Sequence, residues 1–343
     1  MSIRKGVLNL SLCIVTVALF ACALSFGSAG IPLPRIWDAV CHVVGGSAQP
    51  QTPSLTADVF ILFTLRLPRA LLAFVTGAAL AITGACMQGI FQNPMADSHV
   101  LGISTGAALG ATIAFVLGAG VTVLGFGTVT LTAFVFGTAT IFLVYALGQV
   151  KGRTSALRLL LSGVAISSLF TAIISLLMAL ARDKAEKVLL WTMGSFSSTT
   201  WLQLGYVTPV VALFAAFILC NHRNLDMLLQ GEEQALTMGV NVKAVRQRLM
   251  VCSAVIISAV TAAVGLIPFV GLITPHCIRL VLGPRHKNVL WYSVWAGGCF
   301  LLLADTLARC IAAPMELPVG ALTAFCGAPF FLYLLRRQGK QHG

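Results

Sequence analysis

Runs of apolar residues about as long as a bilayer is thick follow one another through this chain, separated by short polar breaks. A helix needs ~20 apolar residues to cross a hydrocarbon core of about 30 Å at about 1.5 Å per residue, and it is a helix because each backbone N–H and C=O must find its partner inside the segment. The sequence supplies about ten such runs, at 7–26, 59–91, 97–118, 122–147, 155–181, 203–220, 243–267, 271–283, 288–311 and 318–335. A water-soluble globule of 343 residues has no interior large enough for a chain that is 58% hydrophobic and 9% charged, with a mean hydropathy of +0.95. The expected fold class is an all-α polytopic membrane protein with about ten transmembrane helices, a single transmembrane domain over 1–343.

The first run follows Arg4 and Lys5 and is longer than the ~7–15 residues of a cleaved signal, so it reads as an uncleaved first helix with its amino end inside. Residues 28–58 mix Pro, Gly, Ser and Gln and read as an external loop, with a short amphipathic turn around 36–44. A second external element, a short helix, is expected at 184–192. Threaded this way, fifteen of the 22 Lys and Arg residues fall on the cytoplasmic side, as the positive-inside tendency requires. That topology accounts for the formal charge of +12, and no aromatic-interleaved basic patch points to nucleic acid. The ten cysteines lie nearly all within apolar runs, without CxxC or metal-ligand spacing.

Between 66 and 110 two apolar segments meet at a polar elbow, 92–99, and Gly102, Gly106 and Gly110 fall four apart, leaving a bare helix face for a neighbouring backbone. The segments 66–147 and 246–311 each run from an arginine pair through a proline-and-histidine break, one starting outside and the other inside. They read as inverted repeats, a common transporter construction.

The most informative polar stretch is 221–248. Leu225 to Gln230 form a short helical turn stopped by Gly231; Glu232 and Glu233 open a second short helix, where acidic groups meet the positive end of the dipole. Ala235, Leu236 and Met238 give it an apolar side and Gly239 ends it. Such a helix either rests on lipid headgroups or docks into a partner's groove, and the residues leave both readings open. Arg66, Arg69 and Arg309 form a basic external rim that suits a negatively charged partner or lipid phosphates, with Asp305 one turn before Arg309 as an intrahelical mate. Thr154 and Ser155 form a polar turn and are good helix N-caps. His276 lacks a second ligand at metal spacing and reads as packing, and Gly327-Ala328-Pro329 is expected to break the last helix.

Three classes are disfavoured. No G-x-x-x-x-G-K-[S/T] loop occurs, so this polypeptide is not its own ATPase. An ion-coupled secondary transporter would keep carboxylates or histidines mid-membrane, whereas Asp305 and Glu316 lie near a helix end. A membrane enzyme would need a nucleophile paired with a base, and none is evident.

Several motifs in a fixed order carry a resemblance: RLPR at 66–69, NPMA at 93–96, LGISTGA at 101–107, GEEQALTMGV at 231–240, GLIPFVGLITPHCIRL at 265–280, ADTLAR at 304–309 and ELPVGALTAFCGAPFFLYLL at 316–335. Together they resemble the permease subunit of the iron-siderophore, haem and cobalamin ABC importers, the FecCD-type, type II class, over nearly the whole chain after Gly30. The resemblance implies a homodimer in the bacterial cytoplasmic (inner) membrane. Two ATP-binding cassette subunits holding ATP and Mg would drive it, and an extracytoplasmic substrate-binding protein would feed it. The chain itself would carry no cofactor. It further implies a ferric siderophore as cargo, with haem or cobalamin as alternatives. Gly231, Glu232, Ala235, Leu236, Met238 and Gly239 would couple to the ATPase, Arg66, Arg69 and Arg309 would dock the binding protein, and Thr154 and Ser155 would form a gate on the dimer axis.

Overall fold

A computed structural model describes residues 2–27, 30–45, 52–118, 122–123, 126–150 and 153–339. The first apolar run is α1 (Ser2–Ser25), and the expected amphipathic turn after it is a full helix, α2 (Leu33–Val44), entered through Pro32. The second apolar run begins at 53 rather than 59 and is one rod, Pro53–Ile90. It comprises α3 (Pro53–Phe60), a widened π turn (Ile61–Arg66) and α4 (Leu67–Ile90). Pro68 explains the widening: its ring crowds the preceding turn and it has no N–H to donate. In that turn the Phe63 carbonyl falls opposite residue 68, which cannot serve it, and Trp201 Nε1 donates to it instead at 2.8 Å.

Beyond the elbow come α5 (Ile103–Val116), α6 (Thr128–Gly148), α7 (Ala156–Leu180) and the short α8 (Ala185–Thr192), which matches the element expected at 184–192. The chain continues through α9 (Trp201–Cys220), α10 (His222–Leu228), α11 (Glu232–Thr237) and α12 (Val242–Val264). It ends with α13 (Val270–Leu282), α14 (His286–Ile311) and α15 (Val319–Gly339). Two antiparallel ladders of two residues each, 122–123 with 126–127 and 149–150 with 153–154, are the extended pairs among the described residues. Among the described residues, seven helices are long and apolar enough to cross a membrane, and the apolar helices α5 and α13 are shorter. The ten expected runs are therefore present, but α5 and α13, at 14 and 13 residues, are too short to span as straight rods.

Packing is organised around α4. Almost every residue from Ala70 to Ile90 is buried, because α4 is enclosed by α9, α12, α13 and α14. The contacts depend on missing side chains: a Cβ at Gly77 would overlap the Gly297 carbonyl of α14, and one at Gly84 would overlap Gly271 of α13. Gly106 and Gly110 do the same on α5, against Thr140 and Thr132 of α6. The small-residue face expected at 102–110 thus receives a protein neighbour.

The two proposed repeats share one plan, a long helix, a break and a short helix, then a long helix, as α4–α5–α6 and α12–α13–α14. Their packing obeys the exchange: α4 lies on α14 as α12 lies on α6, and α4 on α13 as α12 on α5. Both short helices are entered through a left-handed residue, Gly102 at φ 77° and Phe269 at φ 69°. That conformation is costly for a phenylalanine and persists only where packing enforces it. Here the Phe269 side chain lies against Gly327 of α15, where a Cβ would come within 2.5 Å. As the apolar run at 318–335 implies, α15 continues through Pro329, and the bare face of Gly327 serves this contact.

Candidate functional site

Two polar regions lie at opposite reaches of the helices, and the first gathers the three arginines. Arg69 donates from Nε and Nη2 to Asp305 at 2.8–3.1 Å and from Nη1 to both oxygens of Glu316 at 3.0 and 2.8 Å. Arg309 stands one turn from Asp305, with Nε 3.3 Å from its Oδ2, as the spacing implied. Arg66 Nη1 donates to the carbonyls of Leu24 and Ser25 at 2.5 and 3.0 Å, and Arg309 Nη2 to that of Ala23 at 3.1 Å. These carbonyls belong to the last turn of α1, where helix geometry leaves oxygens unpaired and the dipole is negative. The arginines thus close the end of α1 and tie it to α4, α14 and the segment before α15.

The basic rim read from the sequence is a buried one. Arg66, Arg69 and Arg309 are only 6%, 8% and 5% exposed, and their guanidinium groups point inward. The physical reason is that a cation within a span must find acceptors, and Asp305, itself fully buried, sits where two of the three reach it. Glu316 was the partner that spacing did not disclose: it comes from beyond α14, and its side chain stays 35% exposed above Arg69.

The second region contains α10 and α11. Gly231 at φ 108° and Gly239 at φ 84° bound α11, backbone geometry that side chains rarely adopt, so the glycine punctuation read from the sequence is present. Ala235 is fully buried against the bundle, and Glu232 reaches Arg246 of α12 at 3.3 Å. Leu236 and Met238, by contrast, are 57% and 49% exposed, an apolar face left uncovered by the described residues. Leu236 and Gly239 line an open groove with Glu232, Arg246 and Ser155. The structure therefore brings the gate candidate Ser155 together with three of the coupling candidates, Glu232, Leu236 and Gly239. Ser155 Oγ accepts from the Arg158 backbone N–H at 3.3 Å and caps α7, while Thr154 pairs with Gln149 in the adjoining ladder.

A multi-pass helical membrane protein with paired repeats, an ion-paired end and an uncovered apolar helix at another polar face is a transport permease by architecture. The chain belongs to the FecCD transport family, whose model matches residues 14–337. It is 41% identical to the cobalamin import system permease protein BtuC of Halobacterium salinarum over 94% of this chain and 84% of that protein. The hemin transport system permease protein HmuU of Yersinia pestis is 39% identical over 82% of this chain and 84% of its own length. The Fe(3+) dicitrate permease FecD of Escherichia coli is 36% identical over 94% and 97%. A solved structure described as an inward-facing metal-chelate type ABC transporter superposes with a TM-score of 0.83 at 29% identity, covering 97% of this chain and 99% of that one.

Proposed function

We propose that this chain is the membrane-spanning half of an ATP-driven, binding-protein-dependent importer of an iron chelate, a ferric siderophore, working as a homodimer in a bacterial cytoplasmic membrane. Two separate ATPase subunits hold ATP and Mg on the basic side, and a substrate-binding protein delivers cargo at the opposite face. The observation that carries this reading is α11. It is too short to span, anchored by Ala235 and Glu232, and it presents Leu236 and Met238 to the aqueous side given by the positive-inside count. An exposed apolar pair on a braced helix suits a protein groove better than water. Haem and cobalamin remain alternative cargoes, the latter supported by the 41% identity to a cobalamin permease.

Binding-protein docking at the end carrying Arg66, Arg69 and Arg309 acts through the positive field of three guanidinium groups set against two carboxylates, with Glu316 the exposed acid of the group. The groove shared by Ser155 and α11 favours a gate at Thr154 and Ser155 that responds to ATPase docking.

Leu236→Asp tests the central element. Leu236 is exposed, so insertion and thermal stability are expected to stay at the wild-type level, within the ±0.5 kcal/mol usual for surface sites. Uptake with the reconstituted ATPase is expected to fall at least about tenfold, since a charge in an apolar docking groove costs more than 1.4 kcal/mol. Unchanged uptake would remove α11 from the coupling path.

A further inference from the structure

The apolar pair on α11 meets the partner, and α11 is held to the bundle by the buried Ala235 and by the Glu232–Arg246 ion pair at 3.3 Å. Its neighbour α10 is built in. Leu225 and Leu228 are fully buried, and Gln92, in the elbow after α4, donates from Nε2 to the Leu228 carbonyl at 2.6 Å. Asp226 lies between these two leucines and reaches the first residue of α14. Its Oδ1 accepts the His286 backbone N–H at 2.8 Å and the His286 ring Nδ1 at 2.9 Å.

That geometry is a helix cap supplied by another helix. Arg285, the residue preceding α14, makes no side-chain cap of its own, so the carboxylate of Asp226 serves an orphan N–H at the positive end of the α14 dipole. The His286 ring is fully buried, and its Nε2 has no hydrogen-bond partner among the described residues, so the ring's orientation is fixed by Asp226. On its other side the ring abuts α4, where a Cβ on Gly89 would lie 2.6 Å from Nε2 and 3.0 Å from Leu225 Cδ2. Three helices meet there with no slack. Apolar contacts slide, whereas two charge-assisted hydrogen bonds to one oxygen are directional and transmit a displacement.

We propose that the Asp226–His286 junction is the link through which movement of α10 and α11 reaches α14, making both residues positioning residues for transport. This rests on the coupling-loop reading of 221–248. Beyond the junction α14 carries the movement along α4, against which it packs with Gly297 on Gly77, and so to the arginine cluster at Asp305 and Arg309.

The test uses the full importer, this chain with its ATPase and binding protein, in proteoliposomes, assayed with radiolabelled ferric hydroxamate, haemin and cyanocobalamin in parallel. Absence of ATP-dependent uptake of all three by the wild type would overturn the importer reading itself, before any variant is compared. Given wild-type uptake, Asp226→Ala is expected to retain the ATPase subunits and hydrolyse ATP while uptake per ATP falls about tenfold, the loss of one charged hydrogen-bonded contact. Asp226→Asn, which keeps an acceptor for the backbone N–H, is expected to lose about threefold. In a background with the ten native cysteines replaced, Asp226→Cys with His286→Cys is expected to be uncoupled when reduced and to regain most of its uptake per ATP when the disulfide is formed. A merely structural or docking role would lower hydrolysis and uptake together and would not be rescued by the cross-link. Wild-type uptake per ATP in Asp226→Ala, or an oxidised cysteine pair as uncoupled as the reduced one, overturns the proposal.

Discussion

Asp305→Ala is expected to melt far below the wild type. Asp305 has no exposed surface, and it neutralises Arg69 through three hydrogen bonds while standing 3.3 Å from Arg309. Removing it strands two guanidinium groups among buried helices with Glu316 as their remaining acid, a change of about 3–5 kcal/mol for a broken buried pair. The penalty reaches beyond the pair, because Arg309 also holds the end of α1 through the Ala23 carbonyl. Glu316→Gln is the matched control: Glu316 contacts the same Arg69 but is 35% exposed, so water screens the loss to about 1 kcal/mol or less. Thermal unfolding of the purified proteins in detergent separates the two. Equal melting temperatures for Asp305→Ala and wild type would refute the account of the cluster.

The second large effect is expected at Gly84. A Cβ there has no room, because it would overlap the backbone of Gly271, and that backbone cannot rotate away as a side chain can. Gly84→Ala is expected to force α4 and α13 apart at a cost of about 1–3 kcal/mol, and Gly84→Leu to exceed it. Gly205→Ala on α9 provides the contrast, since no described residue lies within 4 Å of its Cβ position. There alanine is expected to be neutral or to stabilise the helix by up to about 1 kcal/mol. Folded yield and thermal midpoint measured side by side decide the matter, and a neutral Gly84→Ala would mean that the two helices are not in backbone contact.

Much of the architecture was legible because the bilayer imposes a length on every segment and an internal solution on every backbone polar group. The ten apolar runs, the glycines that bound α11, the short helix at 185–192 and the Asp305–Arg309 pair are all local features, readable from spacing alone. The family resemblance added partners and roles that spacing does not contain. What escaped was long-range. Nothing in the RLPR stretch indicates that Arg69 meets an acid 247 positions away, or that α1 ends where Arg66 and Arg309 can close it, so those arginines read as a rim rather than a buried junction. Asp226 looked like one polar residue in a loop, because its partner His286 stands 60 positions further on. Gly327 likewise had a distant partner, since its bare face receives Phe269 from 58 positions earlier.

The claim on which all of this depends is that the chain guides a cargo but does not drive it. Reconstituting the purified chain in vesicles, alone and then with its ATPase and binding protein, measures this directly. The account predicts no accumulation against a gradient by the chain alone, and vanadate-sensitive uptake by the full assembly that survives collapse of the proton gradient. Uphill transport by the chain alone would contradict it.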